Sequence, residues 1–459
     1  MKSKWNIKEA NKFVIKYKKI GINKELALRI YTTRLLGNDP KLVLHGGGNT
    51  SVKLNLNIST RKKLNVIYVK GSGKDMSNID IDGFPALELD NLIKLKKIKQ
   101  MNDFQMVNFQ KKYMIDTTFP NASVETLLHA FLPHKFIDHS HSNAILSIVN
   151  QPNGNEICKK IFGNELAIVP YIMPGFDLSK KALEIFEKNS HVKGLILLNH
   201  GIFTFGNTAK ESYERMIKYV SLAENELRKK SKKTIITKYN EKKISSSKLS
   251  NIFRKYLSIP FNDDFERKII YHSNPSFINY FFNKKIYSKI NGPVTPDHVI
   301  RIKHKPLFLD FSKIKNLNLE NEIYKKINKY KNNYINYFNR NKFLNRKAKM
   351  HDPNPKLIVV NGVGLFSVGK TFKDAKIAMD VGINSLSVTM NSFKYGKFKS
   401  ISEKEIFRME YWPLELAKIS SSNLPLQGNV TVITGGLGTI GYATALKFLK
   451  EGSEVVLLD

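Results

Sequence analysis

Apolar residues recur at helical spacing over residues 24–36, 124–132, 181–188 and 209–229. They form short bounded runs over 65–70, 136–141, 144–149 and 194–199. The first pattern predicts amphipathic helices and the second predicts strands. Their alternation over residues 1–229 predicts an α/β domain, a sheet flanked by helices. A lysine- and serine-rich stretch at 229–248 predicts a linker or exposed loop. It opens a second zone, 230–422, an extension carrying a long insertion. Within it the Asn-, Lys- and Tyr-rich residues 316–349 predict an exposed helix pair. A third zone, 427–459, reads as strand 430–434, glycine turn, helix 441–451 and strand 454–458. That is the first β-α-β of a Rossmann domain. One such unit is not a domain, so the chain reads as stopping inside one, with apolar strand edges open.

The second zone holds an internal echo. LILLNHGIFTFG begins at Leu195 and LIVVNGVGLFSVG at Leu357, and each precedes a lysine-containing helix, from Ala209 and from Phe372. The pair suggests two related strand–turn–strand–helix units, or two unrelated buried hairpins. The second has Gly362 and Val363 where the first has His200, so it cannot supply that histidine.

Composition narrows the function classes. The single cysteine, Cys158, excludes a disulfide framework and a cysteine-based zinc site, and a reducing cytoplasmic setting fits. No apolar run reaches the ~18 residues of a membrane span, and the first 21 residues are not a secretory signal. The net charge of +36 invites a nucleic-acid reading. The excess is lysine spread along the whole chain, and no nucleic-acid motif accompanies it. A basic field of that kind attracts anionic substrates such as sugar phosphates.

The chemistry concentrates in five stretches. FIDHSH at 136–141 puts His139 and His141 on one face of a predicted strand, where two imidazoles can share a metal. NHG at 199–201 ends another strand with His200, and the following glycine permits close backbone approach. Three neutral imidazoles would leave an open position on a metal, the pattern of a catalytic site. Glu125 opens the helix of SVETLLHAFLP, with Ser123 as expected N-cap. It reads either as a helix-dipole carboxylate or as a proton carrier beside the metal. His129 and His134, on or just after that helix, read as structural. LHGGGNTS from Leu44 and VKGSGK from Val69 are glycine-rich turns after apolar strands, able to offer backbone N–H groups to phosphate.

The series GGGNTS, GSGKD, ASVETLLH, HSH and NHG resembles the class II aldolase/adducin family, which includes fuculose- and rhamnulose-phosphate aldolases and ribulose-phosphate 4-epimerase. GPVTPDHVIR from Gly292, NGVGLFSVGK from Asn361 and EYWPLELAK from Glu410 extend the likeness to long bifunctional proteins. Those join a rhamnulose-1-phosphate-type aldolase to a short-chain dehydrogenase. The resemblance implies His139, His141 and His200 as ligands of zinc or another divalent metal, and Glu125 as acid/base. It implies Asn49, Ser72, Gly73 and Ser123 as phosphate and substrate contacts, though the family often has two serines before the glutamate where Ser123 and Val124 stand here. The implied reaction is cleavage of a ketose 1-phosphate, similar to rhamnulose 1-phosphate, into dihydroxyacetone phosphate and a short aldehyde. A homotetramer is implied, with no nucleic-acid or membrane partner. The alternatives are a sugar-phosphate epimerase, a non-catalytic binding module, and an NAD-dependent dehydrogenase fragment with a non-catalytic aldolase-like partner domain.

TGGLGTIG at 434–441 follows a β-branched strand and opens a helix, the context of a dinucleotide turn. It resembles the short-chain dehydrogenase turn, with Thr439 where glycine is usual. Gly435, Gly438, Ile440 and Gly441 would approach the NAD pyrophosphate, and Asp459 the ribose hydroxyls. The family's Ser, Tyr and Lys catalytic residues would lie beyond Asp459.

Overall fold

The computed structural model describes residues 1–59, 62–230, 244–258, 268–311, 318–418, 424–427 and 429–459. The chain divides into two compact units. The first comprises residues 1–232 with two short later segments, 294–296 and 391–401; the second takes the remainder.

The first unit is built on a seven-stranded sheet, β1 Asn49–Ser59, β2 Lys62–Val69, β3 Ala86–Glu88, β4 Phe136–Ser140, β5 Leu166–Val169, β6 Gly194–Leu197 and β7 Gly201–Gly206, in the order β3-β2-β1-β4-β7-β6-β5. Only β5 and β6 run parallel. Strands β4, β6 and β7 are buried throughout, and the apolar runs that predicted β4 and β6 are those of central strands covered on both faces. Helices Lys24–Gly37 and Ala209–Lys230 fall where the periodicity put them.

Three expectations are corrected. Residues 144–149 are not a strand: they lie in the helix Asn143–Val149, whose last six residues are all buried. A helix buried on every side has no apolar stripe, so periodicity could not tell it from a strand. The Asn- and Lys-rich segment forms one helix, Leu319–Asn341, rather than a pair. It buries Leu319, Ile323, Ile327, Tyr330, Tyr334 and Phe338 at three- and four-residue intervals. Ser123 is not an N-cap: the helix is Thr126–Phe131, with Glu125 itself in the cap position. Most of the expected linker at 229–248 lies outside the described residues.

The second unit carries a four-stranded sheet, β8 Ile269–Ser273, β9 Leu307–Leu309, β10 Leu357–Val360 and β11 Gly364–Gly369, in the order β8-β11-β10-β9. Helices Ser246–Leu257 and Leu319–Asn341 pack on it through Leu249, Phe253, Ile323, Ile327, Ile358 and Phe366. Its strand pattern matches β4-β7-β6-β5 of the first unit pair for pair. Leu197 faces Gly201 as Val360 faces Gly364, and His139 faces Phe203 as His272 faces Phe366. The turn bonds match as well: His200 N to Leu197 O is 3.1 Å, and Val363 N to Val360 O is 3.2 Å. Thr204 Oγ1 donates to Ser212 O at 3.0 Å, as Ser367 Oγ donates to Ala375 O at 2.6 Å. The sequence echo falls on these two hairpins, and their register needs no gap between them.

Strands β12 Val430–Thr434 and β13 Glu454–Leu458 pair in parallel around the helix Thr439–Lys450. Val430, Val432 and Leu458 are half-exposed on this small sheet.

Candidate functional site

Strand β4 delivers His139, His141 follows one residue past its end, and the β6–β7 turn delivers His200. The ligand atoms of the three lie within 4.8 Å of one another, with His139 and His200 buried. His139 Nδ1 bonds the Ile202 carbonyl at 3.0 Å, and its ring stacks on Phe203 at 4.1 Å. A carbonyl only accepts, so Nδ1 carries the proton and Nε2 presents its lone pair. That Nε2 stands 3.1 Å from His141 Nε2. Two imidazole lone pairs at this distance repel unless a proton or cation lies between them. Burial, reinforced by the other two histidines, holds His139 well below the ordinary imidazole range against the upward pull of Glu125. The donor set and its outer hydrogen bond therefore fit a divalent cation.

Backbone features bring the turn to the strand. A Cβ on Gly201 would sit 2.4 Å from Ser140 O and 3.1 Å from His139 Cε1, so only glycine lets the hairpin close on the histidines. Asn199 adopts φ 56°, and its side-chain amide donates to Asn150 Oδ1 at 2.8 Å and Lys399 O at 2.9 Å. The Thr295 hydroxyl donates to His200 O at 3.4 Å, while Asn150 holds the Val294 carbonyl at 2.7 Å. The segments 294–296 and 391–401 thus complete the seat of His200. Behind β4, Asp138 forms a fully buried ion pair with Arg29 and accepts from Ser212 Oγ at 2.6 Å. This anchors the strand from the face opposite His139.

Glu125 closes the cluster. Its Oε2 lies 3.5 Å from His139 Nε2 and its Oε1 3.6 Å from His200 Nε2. Burial pushes the carboxyl up, while positive charge on the histidine cluster, whenever it is protonated, and a hydrogen bond from Asn49 pull it below the usual carboxylate range. At neutral pH the site is an ionised carboxylate beside imidazoles, one of them held neutral by burial, able to accept a proton next to a bound cation.

Of the residues expected to contact phosphate, Asn49 and Ser123 reach this centre. Asn49 Nδ2 donates to Glu125 Oε2 at 2.6 Å and to Ser123 Oγ at 3.1 Å. Ser72 and Gly73 lie in the neighbouring turn. The Ser72 N–H is committed to Asn121 O at 2.8 Å, so that amide is not offered to an anion. The two glycine turns touch: a Cβ on Gly46 would lie 3.1 Å from Gly73 O. Buried Lys70 ties them together, donating to Gly46 O at 3.0 Å and Gly71 O at 3.4 Å. Sequence reasoning missed Lys70, Thr295 and the contacts of His129. His129 carried the one available signal, one helical turn after Glu125.

In the third zone, Gly435 takes φ 64°, and a Cβ on Gly441 would lie 2.1 Å from Gly435 O. Gly438 precedes the helix, Ile440 is exposed, and the Asp459 carboxylate accepts from the Leu437 N–H at 3.0 Å. No helix among the described residues is long and apolar enough to cross a membrane.

The Class II Aldolase and Adducin N-terminal domain family matches residues 28–227, and the family described as Aldolase class II, second domain, matches residues 245–419. The chain is similar to the uncharacterized oxidoreductase YuxG of Bacillus subtilis (strain 168), 30% identical over 439 residues. That match covers 94% of this chain, which spans 63% of the relative's length. It is also similar to the N-terminal class II aldolase domain of a conserved protein from Thermoplasma acidophilum, at 44% identity over 44% of this chain and 94% of that one, with a TM-score of 0.42. L-fuculose-1-phosphate aldolase from Thermus thermophilus matches at 16% identity over 44% of this chain and 96% of its own, with a TM-score of 0.29.

Proposed function

With class II aldolase/adducin domains over residues 28–227 and 245–419 as the premise, we propose that the protein cleaves a ketose 1-phosphate, of the rhamnulose 1-phosphate type, into dihydroxyacetone phosphate and a short aldehyde. The observation that carries this reading is a buried carboxylate, Glu125, within 3.6 Å of two imidazoles of a three-histidine cluster. A zinc or similar divalent cation held by His139, His141 and His200 would supply Lewis-acid polarisation of the ketose carbonyl. Glu125 handles the proton. As the C3–C4 bond breaks, the ionised Glu125 takes the proton of the C4 hydroxyl while the aldehyde C=O forms; the bonding electrons remain on C3 beside the carbonyl, and the carboxyl so protonated returns that proton to C3. In the synthetic direction the ionised form removes it. The glycine turns at 44–51 and 69–74 would face the phosphate, and the basic surface would draw the anion in. A cytoplasmic homo-oligomer suits this chemistry.

A second reading is oxidation of the aldehyde with NAD. The glycine turn at 434–441 and the name of the Bacillus relative favour it. It needs catalytic groups that residues 427–459 do not contain.

The test is release of dihydroxyacetone phosphate from rhamnulose 1-phosphate, with and without chelator. Chelator-sensitive release that is absent in His139→Ala supports the aldolase. Stoichiometric zinc without release removes this substrate, and a single isomeric product would point to epimerisation.

A further inference from the structure

We infer that His129 is a positioning residue for Glu125, acting through Asn49. The inference rests on Glu125 being the proton carrier.

His129 lies one helical turn after Glu125, and its ring is fully buried, 5.4 Å from the Phe203 ring. Its Nε2 is hydrogen-bonded to Asn49 Oδ1, and its Nδ1 to Ser51 Oγ at 2.8 Å. Asn49 and Ser51 are alternate residues of β1, so both face the helix. The donors and acceptors of this chain follow from its end. An ionised carboxylate only accepts, so the Asn49 atom 2.6 Å from Glu125 Oε2 is the NH2 nitrogen. The Asn49 carbonyl then faces His129 and needs a donor, which makes Nε2 the protonated nitrogen. Nδ1 is left as an acceptor, and the Ser51 hydroxyl donates to it. Every link from Ser51 to Glu125 thus has one direction.

Burial holds the His129 imidazole low, at about 3, so the ring keeps this neutral form. The consequence at Glu125 is asymmetric. Oε2 is clamped by Asn49, whereas Oε1 is buried without a hydrogen bond and lies 3.6 Å from His200 Nε2. The clamp leaves one defined oxygen to carry the proton. Without His129, the Asn49 amide loses the donor that fixes its orientation. It can then turn its carbonyl toward the carboxylate, and Glu125 swings free.

The experiment uses the zinc-loaded full chain and dihydroxyacetone phosphate alone, in deuterium oxide. Loss of the carbon-bound proton next to the carbonyl is followed by NMR. This half-reaction reads proton transfer by Glu125 without needing the second substrate. The expected result is exchange by the wild type, none by Glu125→Gln, and exchange slowed on the order of 10²-fold in His129→Ala. Zinc stoichiometry and half-saturation should be unchanged. His129→Gln, whose amide can still donate to Asn49, should restore most of the rate. Wild-type exchange in His129→Ala overturns the inference. So does loss of zinc from both His129 variants, which would make the ring part of the scaffold alone. Nitrogen-15 spectra of the imidazoles test the geometry whatever the substrate: a proton on Nε2 of His129, with a resonance that moves in Asn49→Ala, is required, and a proton on Nδ1 overturns the relay. A wild type that binds zinc and exchanges no proton would sink the aldolase reading while those spectra still decide the relay.

Discussion

The β6–β7 and β10–β11 hairpins have the same register, the same turn bonds and the same strand neighbours, yet their side chains differ where it matters. In the first unit His139 donates from Nδ1 to Ile202 O and turns Nε2 toward His141 and His200. In the second unit His272 occupies the corresponding place opposite Phe366, but its Nε2 bonds the Val363 carbonyl at 3.2 Å. The nitrogen that would meet a cation is spent on the backbone. Asn274 stands where His141 does, and Val363, in place of His200, packs against the apolar core of its own unit. Among the described residues β8 has a single strand neighbour, whereas β4 is flanked on its other side by β1, which brings Asn49 and Ser51. A backbone scaffold can thus hold two imidazole positions open without forming a site. The chemistry needs the correct nitrogen free and a second wall to hold the carboxylate.

The largest expected difference between the units is in His200→Ala against Val363→Ala. The first should abolish zinc binding and lower cleavage by at least about 10³-fold, since a Lewis acid is worth several kcal/mol of barrier. The second should leave zinc content and turnover at wild-type values. Metal analysis with the release assay checks both.

Next come the paired glycines. A Cβ at Gly201 meets Ser140 O at 2.4 Å, and one at Gly364 meets Ser273 O at 2.5 Å. Each substitution by alanine should cost about 1–3 kcal/mol as the hairpin is pushed off its neighbour. Gly364 adds the strain of φ 133°. Only Gly201→Ala should also weaken zinc, because it displaces two of the ligand rings. Denaturant titration beside zinc titration separates the effects.

Acid should affect the second unit in a smaller, pH-dependent way. Burial, with nearby lysines, holds His304 at about 3 and His351 at about 4, both below the ordinary 6.5. They are neutral in the fold and take up protons on unfolding once the pH is below 6.5. Stability is therefore complete above that value and falls toward pH 4, with up to about two protons bound on unfolding. Hydrogen exchange across residues 268–418 should show the decline, and His304→Gln with His351→Gln should flatten it.

The smallest effect is a gain. Asn274→His with Val363→His should give the second unit weak zinc binding at most, because the Gly364 approach is already in place but His272 must first give up its bond to the Val363 carbonyl. Calorimetry on a chain also carrying His200→Ala isolates it. A chain that takes up no zinc would show that the scaffold does not hold these positions open.

Much of the centre was legible because its residues are local. His139 and His141 are two residues apart at the end of β4, and His200 is followed by the glycine its turn requires. The glycine turns announced themselves by composition. What escaped depends on distant approach. Thr295 reaches His200 across 95 residues of chain, and His129 gains its meaning only when β1 lies beside the helix. The tyrosine stripe of Leu319–Asn341 was hidden among lysines and asparagines that face solvent.

The register that seats Asn49 opposite His139, and Phe203 on the other side of the same residue, also orders events in time. Both pairings join segments far apart in sequence, and such closures come late in folding because chain entropy opposes them. No pair of short-range turns can assemble the three imidazoles beforehand. Under the proposed function a cation would then be captured by a cradle already closed, and metal supply would set activity rather than the rate of folding.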